Sequence, residues 1–382
     1  MRTVARRTSI PQLPSDAYAS GGEDMNLFEL ASSLGFGDIH IKVDPTVGLH
    51  AIVAIHDTRL GPALGGCRCI PYSSTDAAVF DALRLARGMT YKAAISGLAQ
   101  GGGKAVLMRP PQIKDRNAYF ESFGHFVEQF GGRYITAVDS GTSPADMDII
   151  ARVTRHVACT SNSFAGTGDP SPHTALGVCR GIEAAVKFKL GRSDLQDVHI
   201  ALQGAGHVGY PLARELHTRG ARLTVCDLNA LASERCVEEF GATTVTPEQI
   251  YDVPCDVFAP CALGAVINDA TITRLHTHIV AGAANNQLAE PHHGDVLHKR
   301  GILYVPDYVI NAGGIIQIAL HDEAAMHAKI MAIYDTLTRV FQESARTGEP
   351  AHRVADSMVE SILQAAGHDW AMEQDKNPSA LL

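Results

Sequence analysis

The sequence predicts an α/β protein of two domains, the second a doubly wound, Rossmann-type sheet. Three observations predict it. At 382 residues the chain exceeds the size at which a single hydrophobic core stops growing. Apolar runs of strand length alternate with stretches of helical period along most of it. One such run, Val198 to Gln203, leads directly into Gly204-Ala205-Gly206-His207-Val208-Gly209 and then a helical stretch, the context a dinucleotide-binding loop requires.

The basic N-terminus, Met1 to Arg7, is followed by Thr8-Ser-Ile-Pro where a signal peptide needs an apolar segment. Residues 1–25 therefore read as a flexible polar extension; a transit peptide is the alternative left open. Apolar spacing over 26–36 predicts a short amphipathic helix. Ile39 to Val43 and Leu49 to Ile55 read as strands. A Leu60-Gly-Pro turn leads to Gly65-Gly66-Cys67-Arg68-Cys69-Ile70, and Thr75 to Gly88 has the capping, acidic first turn and periodicity of a helix. Ala118 to Phe130 reads as a helix, Arg133 to Val138 as a strand ending at Asp139, and Ala145 to Val153 as another helix.

The second domain opens near Ser161, with a helix from Thr174 to Lys187. Val198 to Gln203 is continuously apolar, as in buried parallel strands. A helix, Tyr210 to Thr218, and a second strand, Ala221 to Cys226, bring the chain to Asp227, eighteen residues after Gly209. In this arrangement Gly204 makes the tight turn, Gly206 admits a pyrophosphate, and the helix N-terminus offers amides to it. Asp227 should bond the ribose hydroxyls and repel a 2′-phosphate, which favours NAD over NADP. Further strands are expected at 257–258, 279–281 and 303–305, with ligand-facing loops after the first two that include Cys261, Ala262 and Asn285. One long helix is expected from Glu323 to Arg346, running back towards the first domain, then another from Val354 to Ala366 and a frayed end.

Composition narrows the function. A net charge of −9 without a long basic run argues against nucleic acid as a partner. No apolar stretch is long enough to span a bilayer. Eight scattered cysteines with no Cys-x-x-Cys pair read as reduced thiols of the cytoplasm. The histidines show no metal-site spacing, His292-His293 reading as a solvated turn, so no metal is expected.

The stretch most suggestive of chemistry is Gly88 to Val106. Lys92 and Lys104 lie twelve residues apart, and Gly101-Gly102-Gly103 reads as a loop that brings backbone close to a ligand, with Lys104 at the start of a strand. A buried lysine beside a second cation loses part of its preference for the charged form.

Met89-Thr-Tyr-Lys92 followed by Gly101-Gly-Gly-Lys104 closely resembles the amino-acid dehydrogenases of the leucine, valine and phenylalanine type, relatives of glutamate dehydrogenase. The likeness extends from about Asn26 to Arg346 and includes Ala54 to Gly66, Ala281 to Leu288 and Pro306 to Gly314. It implies reversible, NAD-dependent oxidative deamination of an L-amino acid to a 2-oxo acid and ammonium, by a homo-oligomer built from dimers. On this basis 26–158 and 345–382 form the substrate and oligomerisation domain and 159–344 the dinucleotide-binding domain. The resemblance makes Lys92 the anchor of the substrate carboxylate, beside the Gly66 backbone and Asn286. It makes Lys104 the lysine that activates water, with a lowered pKa, and Asp139 the general acid and base. Thr174 would hold the nicotinamide carboxamide. Leu64, Ala137, Ile315 and Ile318 would line an apolar side-chain pocket suited to leucine or valine. An aromatic substrate is the alternative, and a glutamate side chain would find no cation there. One departure stands out. Relatives commonly carry Ala-Glu-Asp where this chain has Ala137-Val138-Asp139, which brings in a second alternative, a weakened non-catalytic relative.

Overall fold

The computed structural model describes residues 27–36, 38–161, 169–262 and 264–376; the N-terminal extension lies outside them. Two sheets organise the chain. The first contains β1 (Asp38–Asp44), β2 (Leu49–Asp57), β3 (Ala63–Ile70), β4 (Gly101–Met108) and β5 (Tyr134–Val138), in the order β1-β2-β4-β3-β5. β1, β2 and β4 pair antiparallel, whereas β3 runs parallel to both β4 and β5.

Period-two alternation gives this sheet two apolar faces. Leu49, Ala51, Val53 and Ile55 of β2 share one core with Phe120 and Phe123 of helix Arg116–Glu128. Ile52 and Ala54 face the other way, onto Ala78, Ala82 and Ala86 of helix Thr75–Ile95, where small side chains let helix and sheet approach closely. That helix is capped by Ser74, whose hydroxyl accepts the Ala77 amide. It does not stop at Gly88, as the sequence predicts, but runs to Ile95 and carries Lys92 on its last turn. The buried residues Tyr91, Ala93, Ala94 and Ile95 continue its packing, which outweighs the roughly 1 kcal/mol a helical glycine costs.

The three glycines also differ from expectation. Gly101, Gly102 and Gly103 lie within β4, not in a loop, so Lys104 is inside the strand. A Cβ on Gly102 would collide with the backbone of Thr90, and one on Gly103 would lie 2.8 Å from the Tyr134 ring. The missing side chain of Gly102 brings helix Thr75–Ile95 onto the sheet, and that of Gly103 makes room for the Tyr134 ring.

The second sheet is parallel throughout: β6 (His199–Gln203), β7 (Arg222–Cys226), β8 (Thr243–Thr244), β9 (Val257–Pro260), β10 (Ile279–Val280) and β11 (Leu303–Tyr304), ordered β11-β10-β9-β6-β7-β8. Strand order reverses between β6 and β9, the switch point at which doubly wound sheets bind ligands.

The predicted helix from Glu323 to Arg346 is two, Glu323–Met331 and Ile333–Thr347, separated by Ala332. Buried Ile330, Ile333, Leu337 and Val340 continue one apolar stripe across the break, which is why the period reads as a single helix. The last helix, Ala351–Lys376, is longer than predicted and returns to the first domain. Arg59 Nη1 donates to the Leu363 carbonyl at 2.9 Å, and Tyr91 donates to Glu360 at 3.4 Å. His292 and His293 form no solvated turn; they open helix His292–Lys299, with His293 2% exposed. No described helix is long and apolar enough to cross a membrane.

Two glycines of the first domain should respond oppositely to alanine. Gly88 has open space where a Cβ would stand, so Gly88→Ala should stabilise the helix by about 0.5–1 kcal/mol. Gly102→Ala forces helix and sheet apart and should cost about 1–3 kcal/mol. Denaturant unfolding of the two variants measures both.

Candidate active site

Three adjacent strands and one helix assemble the chemistry in the first domain. On β3, Ala63, Cys67 and Cys69 face the aromatic core, so Leu64, Gly66 and Arg68 face the opposite side. Lys104 comes from β4, and Asp139 follows β5 immediately. Lys104 is 3% exposed and its ammonium pairs directly with the Asp139 carboxylate. A Cβ on Gly66 would lie 2.8 Å from the Asp139 Cβ and 2.9 Å from Oδ2, so glycine is what lets Asp139 fold over the strand.

Asp139 has further partners. Its Oδ1 accepts Arg68 Nε at 3.1 Å and the Ser140 amide at 2.5 Å. Its own amide donates to Thr142 Oγ1 at 2.9 Å. Burial would raise this carboxyl, but Lys104 and Arg68 outweigh it and hold the group well below the usual carboxylate range. Arg68 is itself fixed by Asp81, which accepts its Nη1 at 2.8 Å and the Tyr72 hydroxyl at 2.7 Å. Sequence reasoning did not single out Arg68, Asp81 or Tyr72. The signal for Arg68 was available: it lies two residues beyond Gly66, so on a strand it shares that face.

Lys92 approaches from helix Thr75–Ile95 and crosses to the second domain. Its Nζ donates to Asn285 Oδ1 at 3.1 Å, and that oxygen also accepts Asn311 Nδ2 at 2.8 Å. Burial depresses Lys92, pushing it down to about 8, with half-buried Asp307 opposing the effect and the Lys104 charge adding to it. Lys104, the other lysine singled out from the sequence, has a carboxylate against its ammonium.

Asn286, expected beside the carboxylate, takes a left-handed φ of +50°, a conformation that costs a non-glycine residue energy and is held by its surroundings. The Ala265 amide donates to its carbonyl at 2.7 Å. Ala137 and Ile315 are buried, and Leu64 and Ile315 belong to one apolar cluster against which Ile318 packs half-buried.

The nucleotide loop occupies the switch point of the second sheet. Gly204 has a left-handed φ of +99°, and a Cβ there would lie 2.9 Å from the Cβ of Ala262, across the crevice beyond β9. A Cβ on Gly209 would strike the Gly204 carbonyl, so the third glycine packs helix Gly209–Thr218 against the turn. At Gly206 a Cβ would meet open space. Asp227 Oδ2 accepts the Ala205 amide at 2.7 Å, and Oδ1 accepts the Asn229 amide at 2.8 Å. The carboxylate thus ties the tip of β7 to the loop, at the end of the strand where a ribose would lie. Cys261 closes the neighbouring side, its amide donating to the Gln203 carbonyl at 2.7 Å. His207 is exposed, 3.3 Å from Asp169, while Val208 packs half-buried on the core. Thr174 stands near the N-terminus of helix Ser171–Leu190, and a Cβ on Gly314 would lie 2.8 Å from its hydroxyl oxygen. A close turn, an open flank at the middle glycine and an acid at the second strand fit a dinucleotide.

Comparison with known proteins agrees with this geometry. The family model described as Glu/Leu/Phe/Val dehydrogenase, dimerisation domain, matches residues 38–156. That described as Glutamate/Leucine/Phenylalanine/Valine dehydrogenase matches 224–360. A leucine dehydrogenase of Geobacillus stearothermophilus is 50% identical over 89% of this chain and 94% of its own. A phenylalanine dehydrogenase of Bacillus thermotolerans is 42% identical over 90% of this chain and 92% of its own. The crystal structure of L-tryptophan dehydrogenase from Nostoc punctiforme superposes with a TM-score of 0.77 at 39% identity, covering 89% of this chain and 99% of that one. The chain belongs to the glutamate/leucine/phenylalanine/valine dehydrogenase family, oxidoreductases of amino acids that work with a nicotinamide cofactor.

Proposed function

We propose that this enzyme catalyses the reversible, NAD-dependent oxidative deamination of branched aliphatic L-amino acids, with leucine, valine and isoleucine preferred. What supports the reading is burial: Leu64 and Ile315 lie in one apolar cluster, and Ala137 is buried on the strand that leads to Asp139, the partner of Lys104. A charged side chain buried there would have no partner, which disfavours glutamate. The 50% identity to an enzyme named for leucine, against 42% to one named for phenylalanine, supports the same choice. Residues 26–158 with 345–382 would form the substrate and oligomerisation domain and 159–344 the dinucleotide-binding domain, in a cytoplasmic homo-oligomer.

In the proposed mechanism Lys92, the Gly66 backbone and Asn286 hold the substrate carboxylate, and the apolar wall takes the side chain. Thr174 would orient the carboxamide of the cofactor, with Gly204, Gly206 and Gly209 around the pyrophosphate and Asp227 at the ribose. The bound nicotinamide supplies a hydride acceptor for Cα. As the C–H electron pair leaves, the amine nitrogen forms a C=N bond with Cα. Lys104 orients and polarises a water for attack on that carbon. Asp139, held ionised by Lys104 and Arg68, takes the water proton. It returns the proton to nitrogen and then accepts the hydroxyl proton as the carbinolamine collapses, the C–N bond breaking to give 2-oxo acid and ammonia, which leaves as ammonium with that proton.

Three outcomes test this reading. Following NADH formation over valine, leucine, phenylalanine, tryptophan and glutamate should give the highest kcat/KM with the branched aliphatic substrates. The same assay with NADP should run at least about tenfold slower, since a 2′-phosphate would meet Asp227 with no arginine at 228–230. An aromatic preference would show a deeper pocket than Leu64, Ala137, Ile315 and Ile318 make.

Lys104→Ala should lower kcat by about 10²–10⁴, the usual span for losing a group that activates water, while NADH still binds. Stopped turnover with unchanged NADH fluorescence titration checks it.

The last outcome concerns pH. A carboxylate needs the charged form of Lys92, which is present below about pH 8 and lost as pH rises through it. The KM for a 2-oxo acid, which has no amine of its own to titrate, should therefore rise with pH above about 8. In Lys92→Arg that dependence should disappear, because a guanidinium does not deprotonate in this range. A flat profile in the unsubstituted enzyme would remove Lys92 as the anchor.

A further inference from the structure

Away from the cleft, Asp269, His292 and His293 bring three potential metal-ligand atoms within 4.8 Å of one another. Asp269 lies just beyond Ile267, which bridges to Leu288, and the histidines open helix His292–Lys299. His293 Nε2 is 3.2 Å from Asp269 Oδ1, and His292 Nε2 is 3.9 Å from the same oxygen. A tetrahedral ion with bonds of about 2.0–2.1 Å separates its ligand atoms by about 3.3–3.4 Å. The Asp269–His293 distance already matches such an edge. Asp269 is exposed and His292 half-exposed, so both can complete the set by small side-chain rotations without disturbing the core.

The far nitrogens carry the argument further. His292 Nδ1 lies 3.1 Å from a carboxylate oxygen of Glu290, and His293 Nδ1 lies 3.2 Å from the Glu290 carbonyl. When each Nδ1 carries the proton and donates to Glu290, both Nε2 lone pairs point towards Asp269. Carboxylate and carbonyl acceptors behind two imidazoles are the outer partners that metal-bound histidines use. The competing tautomer of His293 accepts the Glu290 amide at 3.1 Å and donates Nε2–H to Asp269, which leaves no lone pair for an ion. A cation would select the first tautomer. The ring of His293 is held in place by burial, and the two imidazoles lie 4.0 Å apart.

We propose that Asp269, His292 and His293 bind one divalent transition-metal ion of the zinc class, with water at the open position. Two imidazoles and one carboxylate favour such an ion over magnesium or calcium, which prefer oxygen alone. Its place in the fold gives it a structural consequence. The ion would staple the segment after Ile267 to the start of helix His292–Lys299. The same two segments are joined where the Ile267 amide donates to the Gln287 carbonyl at 3.0 Å and the Ala289 amide to the Ile267 carbonyl at 2.9 Å. Asn285 and Asn286, at the cleft, lie on that strap, so occupancy would stiffen the loop that meets Lys92.

The test uses the full-length, metal-stripped enzyme with zinc and cobalt as probes. Zinc should bind with one saturable equivalent by calorimetry and raise Tm, with magnesium doing neither. Cobalt should give the visible bands of a tetrahedral nitrogen and oxygen site. Asp269→Asn and His292→Ala should each weaken zinc at least about tenfold, the loss that even outer partners cause. Neither should change kcat in the absence of metal. Absence of saturable binding would overturn the proposal. So would equal zinc affinity in both variants, or cobalt bands of thiolate ligation, since the chain also has eight free cysteines.

Discussion

The pairing of Lys104 with Asp139 is the constraint on which the first domain's geometry depends. An ammonium 3% exposed cannot stay charged without a close counter-ion, and breaking such a pair costs about 3–5 kcal/mol. The lysine comes from the middle strand of β2-β4-β3 and the aspartate from just past β5, one strand further along. To let them meet, β3 must have no side chain at position 66, and glycine stands there. To enclose them, helix Thr75–Ile95 must lie close on β4, and Gly102 leaves room for the Thr90 backbone. Two glycines, one of which reads as a loop residue, are thus required by one ion pair. Its two charges are joined by Arg68 and Asp81, and Arg84 also pairs with Asp81 at 3.5 Å, so three cations and two anions form one network.

Most of the architecture was legible because it is written in period and order. The strands of both sheets alternate or run apolar as their environment demands, and strand, glycine loop, helix and acid follow one another at the nucleotide site. What was not legible depended on contacts between distant segments. Gly101 to Gly103 look like a loop because nothing local shows Thr90 and Tyr134 pressing on that strand. The helix past Gly88 is sustained by packing that a helix-breaking residue conceals. The break at Ala332 falls within an unbroken apolar stripe. At the site, Lys104 and Asp139 meet in one ion pair, and burial lowers Lys92, a lysine whose surroundings the spacing does not show. Which lysine has a carboxylate against it is decided by strand order, and strand order is not visible in spacing.

The two domains meet through polar groups as well as through the shared apolar cluster. Lys92 reaches Asn285, Asn285 accepts from Asn311, and Asn311 also donates to the Ala283 carbonyl at 3.1 Å. A carboxylate arriving at Lys92 would compete with Asn285 for the same ammonium. In the role proposed for Lys92, substrate binding and the contact between domains would draw on one group, coupling the carboxylate to the approach of the nucleotide domain. Asp307 lies behind this chain, half-buried and bonded to the Gln287 amide at 3.1 Å and the Tyr308 amide at 2.7 Å. Burial pushes its carboxyl up, and the two amides and the nearby Lys92 oppose that.

The valine at position 138 tests whether the departure from related sequences reaches the reacting groups. Along β5 the side chains alternate: Tyr134 and Val138 belong with the aromatic core of the first domain, and Ala137 lies on the opposite face, towards Gly66 and the cleft. A residue at 138 therefore points away from the face on which Lys104 and Arg68 grip Asp139. Every partner of Asp139 is supplied from elsewhere: Lys104 from β4, Arg68 from β3, and Ser140 and Thr142 from the turn. A carboxylate at 138 would add nothing to that set directly, and against the aromatic core it would need a cation of its own. Valine at that place fills apolar space instead. The weakening that the lost carboxylate suggests does not follow, because the geometry of Asp139 does not pass through that side chain.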